Sequence, residues 1–365
     1  MSEFYAQVVK VEKVEKHPNA DTLSIYTVLN DYPVIDKTDK FNAGDLVSYI
    51  PESSIVPDNE LFYFLCPQKY EKYLDGESVK TRAIGLAYAV GSVPQKYRVI
   101  KAKNIRNFYS QGLLLSAPDG MSEGDSIIDY YSLSRVEEDN EENIVSCPKT
   151  RGRNAESPPK GWTLPYYDIE GLRKYQHCLK QDEEVVLSEK CNGSNAVYVH
   201  DGNKFWVKSR NFFKKEDINC PWWMVAKRYD LENKLQKHPM FAFWGELISL
   251  VGGFRYDLLL QDGVVVPGIK FFDIYDINSH RYLDYDDTLT ILKDLDLPAV
   301  PELYRGFWTT KEEMYSFAEG QSTLNSSHVR EGFVLKTTKE RYEPALNGRM
   351  QIKLVGKGYN LKKHK

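Results

Sequence analysis

Between Val136 and Trp162 the apolar pattern of this chain stops, and that break constrains its architecture more than any other feature. Glu137-Glu138-Asp139-Asn140-Glu141-Glu142-Asn143 is an acidic run, followed by Arg151-Gly152-Arg153-Asn154 and Ser157-Pro158-Pro159-Lys160-Gly161. A stretch with no apolar periodicity, punctuated by Pro and Gly, reads as a linker. Residues 136–161 are therefore expected to join two separately folded parts, 1–135 and 162–365. The basic piece of the linker offers cations to a polyanion, but a solvated hinge is the simpler account.

A chain of 365 residues has room for two or three domains, and 42% hydrophobic with 13% aromatic content suits a packed globule. The net charge of −4, from 48 basic and 52 acidic side chains, excludes a uniformly basic coat but not a local basic groove. The five cysteines (Cys66, Cys147, Cys178, Cys191, Cys220) are scattered, with no Cys-x-x-Cys pair. That pattern points to a reducing compartment and away from a zinc site. The start, Met1-Ser2-Glu3-Phe4, has no signal-peptide layout, and no apolar stretch reaches membrane-spanning length. A cytoplasmic chain with no membrane partner is the expectation.

Before the linker, Tyr5–Val11, Ser24–Leu29 and Leu46–Ile50 alternate in the manner of strands, with a turn cluster at His17-Pro18-Asn19-Ala20-Asp21. Short strands with turn signals suggest a small β-barrel. From Tyr97 to Arg106 cations interleave with apolar positions, and Phe108-Tyr109-Ser110-Gln111-Gly112 follows. Lys101, Lys103 and Arg106 are candidate contacts to a single-stranded nucleic acid backbone, with an amphipathic hairpin as the plainer alternative.

After the linker, the strand-like run Val185-Val186-Leu187 ends in Ser188-Glu189-Lys190-Cys191-Asn192-Gly193-Ser194-Asn195. Downstream come Ser209-Arg210-Asn211, Gly245-Glu246-Leu247, Phe271-Phe272-Asp273-Ile274-Tyr275-Asp276, Glu331-Gly332-Phe333-Val334-Leu335-Lys336 and Gln351-Ile352-Lys353-Leu354. Each block sits on a strand-like segment. Alternating runs on either side of Asp201-Gly202 form a hairpin that returns Arg210 towards Lys190. Residues 221–238, 286–295 and 311–319 read as helices, and a short one is expected within 167–175.

Together the blocks supply a nucleophilic amine, acidic metal ligands, an aromatic plate and further cations. A lysine attacking a nucleotide α-phosphate must be neutral, which at an ordinary lysine pKa costs roughly 4–5 kcal/mol at neutral pH. Burial and a nearby cation reduce that cost, and Lys353 is the candidate cation. Gly193 suits close approach of backbone to phosphate. Glu246 and Glu331 are hard oxygen donors of the kind Mg²⁺ or Mn²⁺ prefers. Phe272 is the candidate stacking plate, with Tyr275 and Phe271 as alternatives. Strand parity separates Glu331 from Lys336, so Gly332 must bend the strand if both line one pocket.

The ordered blocks resemble the covalent nucleotidyltransferase superfamily of polynucleotide ligases and capping enzymes. Lys190-Cys191-Asn192-Gly193-Ser194-Asn195 resembles the RNA ligase 2-type nucleophile motif, which carries Asn five residues after the lysine. His17 to Asp21, Gly44 to Pro51 and Ser110 to Leu114 resemble the N-terminal OB domain of RNA ligase 5-type enzymes. The resemblance implies an α+β chain, an OB-type β-barrel followed by a nucleotidyltransferase (ATP-grasp-like ligase) domain of antiparallel sheets with flanking helices. It implies an ATP-dependent RNA ligase that passes AMP from Lys190 to an RNA 5′-phosphate, which a 3′-hydroxyl then attacks. It also implies that Glu189 lies near adenine, that Asn195 and Arg210 contact ribose, phosphate or the RNA 3′ end, and that Glu246 binds ribose or supports metal. Phe272 stacks on adenine, Glu331 holds metal and Lys353 touches the α-phosphate, while Asn192, Gly193 and Lys336 complete the nucleotide contacts.

The chain departs from the family at position 355, a Val where many relatives carry a second lysine, and Lys357 is the candidate substitute. The chain ends about a dozen residues after Lys353, where DNA ligases and capping enzymes continue into another domain, which favours RNA ligase. The implied partner is RNA or an RNA-containing nicked duplex, with no obligatory protein partner. The rival readings are a GTP-dependent capping guanylyltransferase and a non-catalytic RNA-binding OB adaptor.

Overall fold

The computed structural model describes residues 4–29, 31–75, 78–135, 155–157, 159–248, 259–261 and 264–363. They fall into two compact units, one within Glu3–Glu138 and one within Asp139–Lys363. The acidic run, Cys147 and the basic piece Arg151–Asn154 lie outside the described residues.

The first unit is built from short antiparallel strands. Gln7–Lys10, Leu46–Ile50 and Leu113–Ser116 form one sheet, and Lys13–Lys16, Leu23–Val28 and Tyr32–Lys37 another. The alternation in Leu23–Val28 sends Tyr26 and Val28 into a core with Val9, Val47, Tyr49 and Leu114. Each large side chain so buried stabilises the unit by roughly 1.5–3 kcal/mol. A long antiparallel hairpin pairs Gln68–Asp75 with Ser78–Leu86.

The region from Tyr97 to Arg106 differs from the interleaved run expected. Gln95–Tyr97 is a 3₁₀ turn, and only Lys103–Ile105 is a strand, paired with Phe108–Ser110. Arg106 and Asn107 make the turn between them with positive φ. His17, buried, places Nε2 3.1 Å from the Ile105 carbonyl and packs edge-on to Phe108. Thus the His17–Asp21 cluster seats the hairpin.

The second unit holds two large sheets, beside two two-stranded pairs among the described residues. The seven-stranded sheet runs in the order Ala155–Glu156, Phe213–Lys214, Phe205–Ser209, Gly193–His200, Phe241–Ile248, Gly268–Asp276, Arg281–Tyr282. Ala155–Glu156 therefore gives part of the expected linker a strand pairing. The five-stranded sheet runs Glu170–Gly171, Gln351–Val355, Gly332–Thr337, Glu184–Glu189, Glu302–Phe307, with only the first pair parallel.

Each sheet buries one face under helices. Ala196, Tyr198, Phe243, Leu247, Ile269 and Phe271 pack with residues of the helices Pro221–Arg228, Leu231–Leu235 and Tyr285–Asp294. Pro221 opens the first of these at a position whose N–H has no helical partner in any case. Leu187, Phe333, Leu335, Ile352 and Leu354 pack with Leu172 and with Met314 of the helix Lys311–Ser316, which Thr310 caps by accepting from the Glu313 N–H. Alternation then assigns the other faces. Asn195, Trp244, Glu246 and Phe272 fall on the opposite face of one sheet, which carries a second buried cluster of Val197, Val199, Ala242 and Trp244, and Ser188, Lys336 and Lys353 on the opposite face of the other. The chain passes from one sheet to the other through Lys190-Cys191-Asn192.

Candidate active site

Lys190 follows the last residue of the strand Glu184–Glu189, and its N–H donates to the Gly332 carbonyl at 3.0 Å. Its Nζ donates to Glu331 Oε1 at 2.7 Å, and a quarter of the side chain stays exposed. Glu331 reaches this position because Gly332 bends the chain. Gly332 has φ +149°, and a Cβ there would sit 2.0 Å from the Leu354 carbonyl oxygen. Gly193 has a parallel role, since a Cβ there would lie 2.2 Å from the Leu247 carbonyl oxygen. Its absence lets Gly193–His200 pair closely with Phe241–Ile248, so that Asn195 stands opposite Glu246.

Burial acts against the Lys190 ammonium, but Glu331, and then Glu246, outweigh it and raise its pKa above the ordinary lysine value. The carboxylates thus favour the charged amine. Burial pushes Glu246 up to about 8, with Lys190 opposing and Glu331 reinforcing the shift. Lys353 lies on the strand Gln351–Val355, paired in register with Val334.

Other candidates occupy more structural positions. Glu189 is 2% exposed and accepts from Ser322 Oγ at 2.5 Å, from the Thr323 N–H at 2.8 Å and from the Thr323 hydroxyl. Its carboxylate is committed to holding the 322–323 segment rather than open to a base. Lys336, 4% exposed, donates to Asp273 Oδ1 at 2.8 Å and to the Phe272 carbonyl at 2.7 Å, tying one sheet to the other. Phe272 is the extra residue of a bulge opposite Trp244-Gly245. The bulge turns its ring away from Phe271, which is core, and towards Tyr167 at 5.0 Å between centroids. Tyr275 is buried in the same cluster as Tyr282 and Ala242. Arg210 lies 3.9 Å from Asp168 and 4.9 Å from the Tyr166 ring.

Sequence reasoning missed the network behind Phe272. Asp273 accepts from Tyr167 at 2.5 Å and from Arg349 Nη2 at 3.1 Å, and Gln351 donates to the Tyr167 hydroxyl at 2.5 Å. The signal was present in Phe271-Phe272-Asp273, but nothing local paired Asp273 with Arg349. In the first unit, Lys101 and Lys103 are exposed, whereas Arg106 donates to the Asn19 carbonyl at 2.9 Å and helps close the turn.

Glu331 Oε2, Asn192 Oδ1 and Asn195 Oδ1 are buried without a hydrogen-bond partner. Leaving such acceptors bare costs about 1–3 kcal/mol each, so the cluster fits a ligand that brings cations and hydroxyl donors. Among the described residues no group of three or more His, Cys, Asp or Glu forms a metal cage. A Mg²⁺ or Mn²⁺ held by one or two carboxylates and phosphate oxygens needs none.

Lys190 thus donates to the Glu331 carboxylate, with Glu246 a second carboxylate acting on its charge. Residues 183–355 match the RNA ligase family model, and residues 5–92 match a model for an OB-fold domain. The chain is an enzyme that carries an RNA ligase domain, with an OB-fold domain ahead of it. No curated protein sequence matches it. Among solved structures it is similar to Naegleria gruberi RNA ligase with PPi, at 21% identity and TM-score 0.66, over 99% of this chain and 98% of that one. A variant of that ligase with AMP and Mn aligns at 20% identity and TM-score 0.68, over 99% of each chain. Another variant, with ATP and Mn, aligns at 20% identity and TM-score 0.65, over 99% of each chain. At this identity the likeness speaks for the fold. Among the described residues no helix is long and apolar enough to cross a membrane.

Proposed function

We propose that this protein is an ATP-dependent RNA ligase that seals 3′-hydroxyl and 5′-phosphate ends, held in a nicked duplex, through AMP bonded to Lys190. The reading rests above all on the Lys190–Glu331 contact at 2.7 Å, beside a second buried carboxylate and three orphaned acceptors. The solved ligases of similar fold that hold ATP or AMP with Mn support it.

Lys190 Nζ gives up its proton and forms a bond to the α-phosphorus of ATP as the bond to pyrophosphate breaks. An RNA 5′-phosphate oxygen then takes the AMP from Nζ, which regains a proton. The RNA 3′-hydroxyl displaces AMP to make the phosphodiester. Glu331 and Glu246 are the residues that would hold Mg²⁺ or Mn²⁺, which when bound offsets phosphate charge and orients the leaving group. Lys353 offers positive charge towards the phosphate, where it strengthens as the transition state develops. Asn195 and Arg210 position ribose or the RNA end, and Phe272 backs the base. Residues 1–135 serve as the nucleic-acid-binding domain, with Lys101 and Lys103 on the RNA backbone, and 136–161 link it to the ligase domain at 162–365.

The test incubates the protein with a nicked RNA duplex and either ATP or GTP. ATP-dependent sealing, with wild type active and Lys190→Ala inactive, is expected. Sealing or labelling with GTP alone points to a guanylyltransferase, and RNA binding with no sealing in either nucleotide points to an adaptor.

A further inference from the structure

We infer that Tyr359 is a positioning residue for Lys190, acting through the side chain of Asn192. The inference rests on the ligase reading, and it concerns a residue beyond the last sequence block that reading uses.

Tyr359 lies on the helix Lys357–Lys363 and is 3% exposed. Its hydroxyl accepts from Asn192 Nδ2 at 2.6 Å. Its ring shares a buried cluster with Cys191 and Ile248, against Val300, Leu324 and Val355. Both residues following Lys190 therefore rest on this one side chain, Cys191 by packing and Asn192 by hydrogen bond. On the other side of the nucleophile, Glu189 is held by Ser322 and Thr323. Lys190 is thus suspended between two anchors.

The helix that carries Tyr359 is itself fixed. Glu319 accepts from the Lys357 and Gly358 N–H groups at 2.6 and 3.1 Å, and the Gly356 N–H donates to the Glu331 carbonyl at 2.9 Å. At Gly356 a Cβ would meet the Ala318 carbonyl oxygen at 2.4 Å, so only glycine lets the chain pass there. The same segment therefore holds the backbone of Glu331 and, through Tyr359, the turn of Lys190.

The arrangement matters when Glu331 engages another charge. Lys190 then loses the partner that holds its flexible side chain, and the turn is what remains to aim Nζ. A misplacement of about 1 Å at a reacting atom costs on the order of a hundredfold in rate. Removing one hydroxyl that fixes the turn, while leaving the ring packed, should have a smaller effect of the same kind.

The test compares wild type, Tyr359→Phe, Asn192→Ala and the double variant in single-turnover labelling of Lys190 by α-labelled ATP with Mn²⁺, across ATP concentrations. Tyr359→Phe is expected to lower the maximal rate about tenfold, to leave half-saturating ATP within about twofold, and to leave Tm unchanged. Asn192→Ala should reproduce the rate loss with the ring in place, and the double variant should be no slower than Asn192→Ala alone. Without nucleotide, Tyr359→Phe should speed hydrogen exchange at the 190–193 amides. Wild-type rate in Tyr359→Phe, losses that multiply in the double variant, or a change confined to half-saturating ATP overturns the inference alone. A wild type that takes no label overturns the ligase reading and this inference together.

Discussion

At the scale of single residues the site is an amine held charged by carboxylates. The roles of Lys190, Glu246 and Glu331 as amine and acids were readable from residue type and order, whereas the sign of the Lys190 shift was not. It depends on Glu331 standing 2.7 Å away, a contact between residues 141 positions apart. Because Glu331 raises the Lys190 pKa, Glu331→Gln should lower it and speed acylation of Lys190 at pH 8, read by mass spectrometry without nucleotide. The same variant should cut ATP labelling by about a hundredfold, since a metal ligand is lost. Slower or unchanged acylation would show that Glu331 does not govern the amine. Glu189 shows the opposite lesson, because adjacency to the nucleophile carried no information about the buried hydroxyls that claim its carboxylate.

At the scale of elements, glycines and one bulge decide what the strands present. Gly332 has φ +149° and leaves no room for a Cβ beside the Leu354 carbonyl oxygen. Gly332→Ala should destabilise the chain by about 2–4 kcal/mol, through strain and a clash with the strand Gln351–Val355, and should lower labelling as Glu331 shifts. Thermal unfolding beside labelling checks this, and a variant as stable and active as wild type would count against the bend. The bulge at Phe272 was not legible, because it depends on the partner strand. It sets the Asp273 bridge, where burial opposes the carboxylate but Arg349 and Lys336 hold its pKa below the usual range. A depressed folded pKa gives stability that is present above the unfolded value near about 4 and lost as pH falls through the folded value. Asp273→Asn should therefore cost about 3–5 kcal/mol at pH 7 and progressively less below about pH 4. Denaturant melts across that range measure it, and a penalty independent of pH would contradict the assignment.

At the scale of the whole molecule, the chain forms two compact units, one within Glu3–Glu138 and one within Asp139–Lys363, and the N-terminal strands were readable from alternation and turn residues. The hairpin Asp201-Gly202 was legible for the same reason, with local sequence setting its register. The order of the two ligase-domain sheets was not, since neighbours such as Glu184–Glu189 and Gly332–Thr337 are joined by contacts across most of the domain. Lys101 and Lys103 are exposed, and the RNA contact proposed for them is separable from Lys190 chemistry. Lys101→Ala with Lys103→Ala should weaken RNA binding about three- to tenfold and flatten its salt dependence, while ATP labelling stays within about twofold. Equal RNA affinity in that variant would move the contact elsewhere.

The most direct measurement of the central claim is the mass of the peptide containing Lys190 after incubation with ATP and Mn²⁺. The account predicts one AMP on Lys190, released again when a 5′-phosphorylated RNA is added, and none in Lys190→Ala. An unmodified peptide, or AMP on another residue, would contradict it.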